Sequence, residues 1–96
     1  MGKYRLSNEA KEDLIRLHHY GVKKFGAKQA DKYFNSFFDN FELIAERPLS
    51  FEAVDFIKPG YRRCVCGVDS IYFKINGEVS EIMAIVGRQD LKQLLL

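Results

Sequence analysis

Tryptophan is absent from this 96-residue chain, and cysteine, proline and histidine occur only twice each. Each scarcity excludes something. The two cysteines, Cys64 and Cys66, cannot build a disulfide framework. At i,i+2 on a strand they point to one face, where a bridge between them would be strained. No second Cys pair or neighbouring His completes a metal site, so structural thiols are expected, with no metal and no other cofactor. His18 and His19 point about 100° apart on a helix and lack the i,i+4 spacing of a helical metal pair. No Ser, Cys or Asp falls into a pattern of nucleophile, base and orienting acid, and no glycine-rich loop is present to cradle a phosphate. No apolar run approaches the roughly 20 residues that span a bilayer. A polar stretch, not an apolar core, follows Met1-Gly2-Lys3-Tyr4-Arg5. Neither a membrane span nor a signal peptide is expected, and a cytoplasmic location is. An excess of one charge is lacking too. The net charge of +2 falls short of the basic excess of a DNA-binding domain, so no direct sequence-specific DNA binding by this chain alone is expected.

What is there points to one small folded domain covering residues 1–96. Hydrophobic residues make up 47% and charged residues 29% of the chain, which places it among folded chains rather than disordered ones. Eight Phe and five Tyr are many for this length. Each buries a large area, so a few can complete a small core or leave an apolar surface for a partner.

Hydrophobic periodicity divides the chain into elements. Residues 3–6 alternate as a short strand. Ser7 or Asn8 then offers a helix N-cap, with Glu9 and Glu12 in the first turns. Ala10, Leu14, Leu17 and Gly21 fall at helical spacing, widened by Ile15, Val22 and Phe25, and Gly26 ends the helix. A second helix follows at once. Ala30, Phe34, Phe37, Phe38, Phe41, Ile44 and Ala45 recur with helical period until Pro48 sets the limit. Phe51, Val54 and Phe56 suggest a loop or short strand with buried anchors. Strands are expected at 61–66, 71–75 and 79–86, with Asn76-Gly77 as a type I′ hairpin turn. The last strand carries Ile82-Met83-Ala84-Ile85-Val86, the run of a central strand covered on both faces. The order β-α-α-β-β-β is an α+β layout in which an N-terminal strand precedes an antiparallel helical hairpin packed on a small antiparallel sheet.

A basic group is the main candidate for chemistry. Arg62 and Arg63 open a strand and point to opposite faces. Arg88 follows the last strand in Gly87-Arg88-Gln89-Asp90, and Lys58 and Lys74 stand nearby in the pattern. If the last strand neighbours the one that begins at residue 61, Arg88 comes beside Arg62 or Arg63, and Asp90 pairs with one of them. Such a surface would receive an anionic partner. Alternatively, the arginines simply cover a sheet face and keep its edge soluble. The tail 91–96 is apolar enough to dock on the body or on a partner.

Three stretches resemble the ParE toxins of the RelE/ParE superfamily. "YRLSNEAKEDL" at 4–14 looks like their opening strand and helix. "FGAKQADKYFNSFFDNFELIAERP" at 25–48 is similar to their second helix and its Pro stop. "PGYRRCVCGVDSIYFKINGEVSEIMAIVGRQD" at 59–90 resembles their sheet, with its Tyr-Arg opening and a final Gly-Arg-x-Asp. The resemblance implies the RelE/ParE-like fold and a non-enzymatic toxin of a bacterial type II toxin–antitoxin system. It also implies DNA gyrase as target and a ParD-like antitoxin as partner. The antitoxin would lay a helix and an extended segment on the toxin, over a groove for which Leu14, Leu17, Phe34, Phe37, Phe38 and Phe41 are the candidates. Arg62, Arg63, Arg88 and Asp90 are the candidates for the target-facing surface, with Asp90 orienting Arg88. The alternative within the superfamily is RelE-like, ribosome-dependent mRNA cleavage, which needs an acid–base cluster. Here no His or Tyr closes the chain, and Val86 stands where many relatives carry a His. Arginine stays protonated and makes a poor base. A further alternative is an inactive antitoxin-binding module.

Overall fold

The computed structural model describes residues 2–87. It begins with β1 (Lys3–Leu6), followed by α1 (Asn8–Phe25) and α2 (Ala27–Glu46). A single 3-10 turn (Pro48–Ser50) leads to the two-residue β2 (Glu52–Ala53). β3 (Arg62–Cys66), β4 (Asp69–Asn76) and β5 (Val79–Gly87) follow. Ser7 caps α1, its Oγ accepting from the Ala10 amide at 3.0 Å. Gly26 alone links the helices, closing α1 through the Val22 carbonyl and opening α2 through the Ala30 amide. Pro48 cannot continue α2 and instead starts the 3-10 turn.

The sheet order is β1-β5-β4-β3-β2. β2 to β5 pair antiparallel, but β1 runs parallel to β5, with Lys3 opposite Val79 and Leu6 opposite Ile82. The sheet is therefore mixed rather than wholly antiparallel. Alternation along β1 could not show this, because strands have the same period of two in either direction. β4 is the middle strand, and β5 lies between it and β1. β5 does not neighbour β3, which corrects the expected pairing of the last strand. Gly87 sits opposite Asp69, and Asp69 opposite Cys66, whereas Arg62 lies on the row of Phe73 and Ile82, towards the other end of the sheet. Arg88, Asp90 and the tail 91–96 lie outside the described residues.

Both hairpins use two-residue loops. Asn76 pairs with Val79, so the second loop is Gly77-Glu78, not Asn76-Gly77. Gly67 and Gly77 have φ of 59° and 64°, and among the described residues only glycines have positive φ. Glycine at the first loop position with an ordinary second residue is the type II′ pattern, not I′.

α1 and α2 cover one face of the sheet. Phe37, Phe41 and Ile44 of α2 and Leu14 of α1 pack there on Ile71, Phe73, Ile82 and Ile85. Cys64 and Cys66 join this core as free thiols. Burial pushes Cys64 up to about 11 and raises Cys66 as well, so both stay protonated and unreactive. The opposite face carries a second cluster of Val54, Tyr61, Tyr72, Ala84 and Val86 beneath the loop at 54–61. A bulge reconciles the two cores. Tyr72 pairs with Ala84 and Phe73 with Ile82, leaving Met83 as the extra residue. Ile82 and Ile85 then face the helices while Ala84 and Val86 face away, so both sides of β5 need apolar residues.

β1 ends at Leu6, leaving the β1-side edge of β5 without a strand partner beyond Ile82. Side chains of the α1 region take over. Ser7 Oγ donates to the Met83 carbonyl at 2.9 Å, and Asp13 Oδ2 accepts from the Ile85 amide at 2.9 Å. Removing a charged acceptor from a half-buried amide costs about 1–3 kcal/mol. Asp13→Ala is expected to lower the urea midpoint accordingly and to speed hydrogen exchange at Ile85. Asp13→Asn, which keeps an acceptor, is expected to lose less than half as much. Equal losses would show that the carboxylate does not hold this edge.

Candidate partner-binding cleft

Along α2 the apolar stripe outruns the sheet. Phe41 and Ile44 sit wholly over the strands, but residues 22–29 at the hairpin tip are all exposed. Between the tip and the β3–β4 turn lies a cleft of about 360 Å³. α1 supplies Leu17, His18, Tyr20 and Phe25, and α2 supplies Gln29, Ala30, Tyr33, Phe34 and Phe37. Gly67, Val68 and Asp69 of the turn close the third side. The size is at the small end of ligand sites, enough for a few large apolar side chains.

Tyr33 fixes the floor. Its hydroxyl faces the Asp69 carboxylate at 2.8 Å and the Cys66 carbonyl at 2.7 Å, tying α2 to the turn. Burial first, and then Asp69, push its pKa up, so it remains a phenol and a donor. Gly67 makes this approach possible. A Cβ there would stand 2.7 Å from the Tyr33 ring and hydroxyl, at a φ that other residues rarely adopt. His18 holds the rim, with Nε2 at 2.7 Å from Asp31 and its ring edge-on to Phe34 at 5.2 Å. It therefore bridges α1 and α2.

The ends of the two helices that form the cleft are cationic. Residues 17–34 contain Lys23, Lys24, Lys28 and Lys32 against one acid, Asp31, which His18 already engages. Lys24 stands 5.5 Å from the centre of the Tyr20 ring and 5.8 Å from that of Phe25, so charge and aromatic wall are contiguous. An apolar trough with cationic flanks suits an amphipathic polypeptide bearing acids beside its apolar anchors.

Of the groove candidates, Leu17, Phe34 and Phe37 line the cleft. Leu14 and Phe41 do not. They are 4% and 0% exposed beneath the helices, because their positions on the stripes lie above the sheet. Phe38 stacks between Phe34 and Phe41 at 5.2 and 5.3 Å and packs on the core without lining the cleft. Tyr33 escaped the reading although it stands four residues before Phe37 on the same stripe. Val68 and Asp69 carry no sequence signal, since only the turn's position beside Tyr33 recruits them.

The two arginine candidates among the described residues, Arg62 and Arg63, are already engaged. Arg62 Nη1 donates to the Phe51 carbonyl at 2.7 Å, and Arg63 pairs with Glu52 at 2.7 Å. Tyr72 and then Glu52 raise the Arg63 pKa. The Tyr72 hydroxyl is buried and has no geometrically sound hydrogen-bond partner among the described residues, so its tie to Arg63 is a close approach rather than a formed bond. Both arginines thus brace the β2–β3 region. Among the described residues, no group of three His, Cys, Asp or Glu is placed to hold a metal, and no helix is long and apolar enough to cross a membrane.

Residues 4–91 match the family model for the ParE toxin of the type II toxin–antitoxin system parDE. The chain belongs to the ParE toxin family. It is 32% identical over 85 residues to Toxin ParE1 of Caulobacter vibrioides, covering 88% of each chain. It is 28% identical over 76 residues to Toxin ParE1 of Mycobacterium tuberculosis, covering 79% of this chain and 78% of the other. Its fold matches a chain of the solved "Chromosomal ParDE TA system from P. aeruginosa", with a TM-score of 0.80 at 18% identity over 91% of this chain and 96% of that one. The ParE fold thus supplies the frame in which the cleft is built.

Proposed function

We infer that the chain is a toxin that acts on DNA gyrase without chemistry of its own, stabilising gyrase–DNA cleavage or blocking supercoiling. A ParD-like antitoxin silences it by laying an acidic amphipathic helix in the cleft. The observation that carries the antitoxin half of this reading is the cleft itself, an apolar trough between lysine-bearing helix ends. Family membership in a toxin–antitoxin system supplies the partner class. The non-enzymatic half draws support from Arg62 and Arg63. Both are tied into the fold, and arginine makes a poor general base in any case.

The test is a cleavage assay with purified gyrase, supercoiled plasmid, ATP and the folded protein. Cleaved DNA is expected to accumulate, or supercoiling to stop, and added antitoxin is expected to abolish the effect. Full supercoiling with no cleaved DNA, accompanied by cut mRNA on translating ribosomes, would replace the gyrase reading with an RNA-cleaving one.

A further inference from the structure

Phe56 is 79% exposed, more than Leu49 at 74% or Val68 at 75%. An aromatic of its size usually contributes its area to a core. The spacing of Phe51, Val54 and Phe56 had suggested three buried anchors. Val54 is indeed wholly buried and Phe51 packs edge-on to Phe73, but Phe56 is not an anchor. The reason lies in the loop. Ile57 and Lys58 both donate their amides to the Val54 carbonyl, at 2.8 and 3.0 Å, which winds the chain into a tight turn and throws residue 56 outward. The Val54 amide donates to the Tyr61 carbonyl at 2.8 Å, and the Gly60 amide to Asp55 at 2.8 Å. Val54 and Tyr61 are buried against Tyr72, Ala84 and Val86 on the sheet face that α1 and α2 leave uncovered.

Residues 54–61 therefore form a knuckle, fastened by its inner side chains and displaying one aromatic. A side chain presented by a pre-ordered loop loses little entropy on docking, which is what an interface anchor requires. The charges beside it are unequal in availability. Asp55 is committed to Gly60, while the exposed Lys58 holds its ammonium 5.3 Å from the Tyr61 ring.

We propose that this knuckle is the element by which the toxin docks on its protein target, with Phe56 entering an apolar pocket whose rim presents an acid to Lys58. The proposal rests on the reading of the chain as a toxin with a protein target. It locates the target contact apart from the antitoxin cleft. Phe56→Ser is expected to melt like the wild type and to bind the antitoxin like the wild type. It is also expected to need at least about ten times more protein for the same gyrase inhibition and growth arrest. Ile15→Ser, at a 58% exposed site on α1, is the control and is expected to change neither.

Undiminished potency of Phe56→Ser would overturn the proposal. So would joint loss of antitoxin binding and folding, which would make Phe56 a structural residue. Phe56-dependent binding to plasmid DNA without gyrase would overturn it too, making the knuckle a nucleic-acid wedge. If the wild type arrests growth but leaves gyrase untouched, the gyrase reading fails. The growth-arrest doses of wild type and Phe56→Ser then still decide the role of Phe56. If the wild type does not arrest growth, both readings fall.

Discussion

Phe41→Ala is expected to destabilise the protein by about 3–5 kcal/mol, the usual cost of emptying a fully buried phenylalanine site. Phe41 has no exposed surface, sits 5.4 Å from the Tyr4 ring and 5.3 Å from Phe38, and belongs to the core beneath the helices. The cavity cannot collapse easily, because α2 above it is held at both ends, by Tyr33 on the turn and by Ile44 on the sheet. A domain of this size has a total stability of roughly 5–14 kcal/mol, so the loss takes a large share. The melting temperature should fall by about 15 °C or more, read by circular dichroism. Phe38→Ala is the comparison. That ring is only partly buried, so its removal should cost no more than about half as much. Similar losses for the two variants would contradict the division of the aromatic stripe into a core part and a surface part.

That division shows where the sequence was readable and where it was not. The helical stripe of α2 was plain, because seven residues at the right spacing leave little choice of period. Which part of the stripe meets the sheet was hidden, because the spacing does not say how far the strands extend beneath the helices. The same holds for the stripe of α1, so Leu14 on α1 and Phe41 on α2 looked like groove residues and are core. Leu17, Phe34 and Phe37 came from the same pattern and line the cleft. The run at residues 82–86 correctly announced a strand covered on both faces. The bulge at Met83 that lets it serve both faces depends on a partner strand and leaves no local trace. Parallel pairing of β1 was illegible for the reason given by its alternation. Asn76-Gly77 named the right hairpin but the wrong loop residues, because the pairing of Asn76 with Val79 shifted the turn by one. Phe56 failed most usefully. Local hydrophobicity marked it as an anchor, and the backbone hydrogen bonds to Val54 overrode that mark. A conflict of this kind between sequence and burial is where binding function is most often found.

Phe25→Asp should leave folding nearly intact and weaken antitoxin binding by about 100-fold or more. Phe25 is 63% exposed in the last turn of α1 and its ring forms part of the cleft wall, so little core packing depends on it. An acid at a helix C-terminus opposes the helix dipole by about 0.3–1 kcal/mol, and neighbouring Lys23 and Lys24 offset part of this. The binding loss has two sources that a second variant separates. Phe25→Ala removes the aromatic wall alone and should cost about tenfold. The additional loss in Phe25→Asp measures repulsion of an acidic partner by an acid set among the lysines of the cleft's helix ends. That additional loss should shrink between about 0.05 and 0.5 M salt, because exposed charges are screened over a few ångströms at the higher strength. The loss from Phe25→Ala should hold nearly constant. Titration calorimetry of the wild type and both variants at the two salt concentrations measures all the affinities the comparison needs. If Phe25→Asp binds as well as Phe25→Ala at low salt, the partner in the cleft is not acidic. If neither variant weakens binding, the antitoxin does not occupy this cleft.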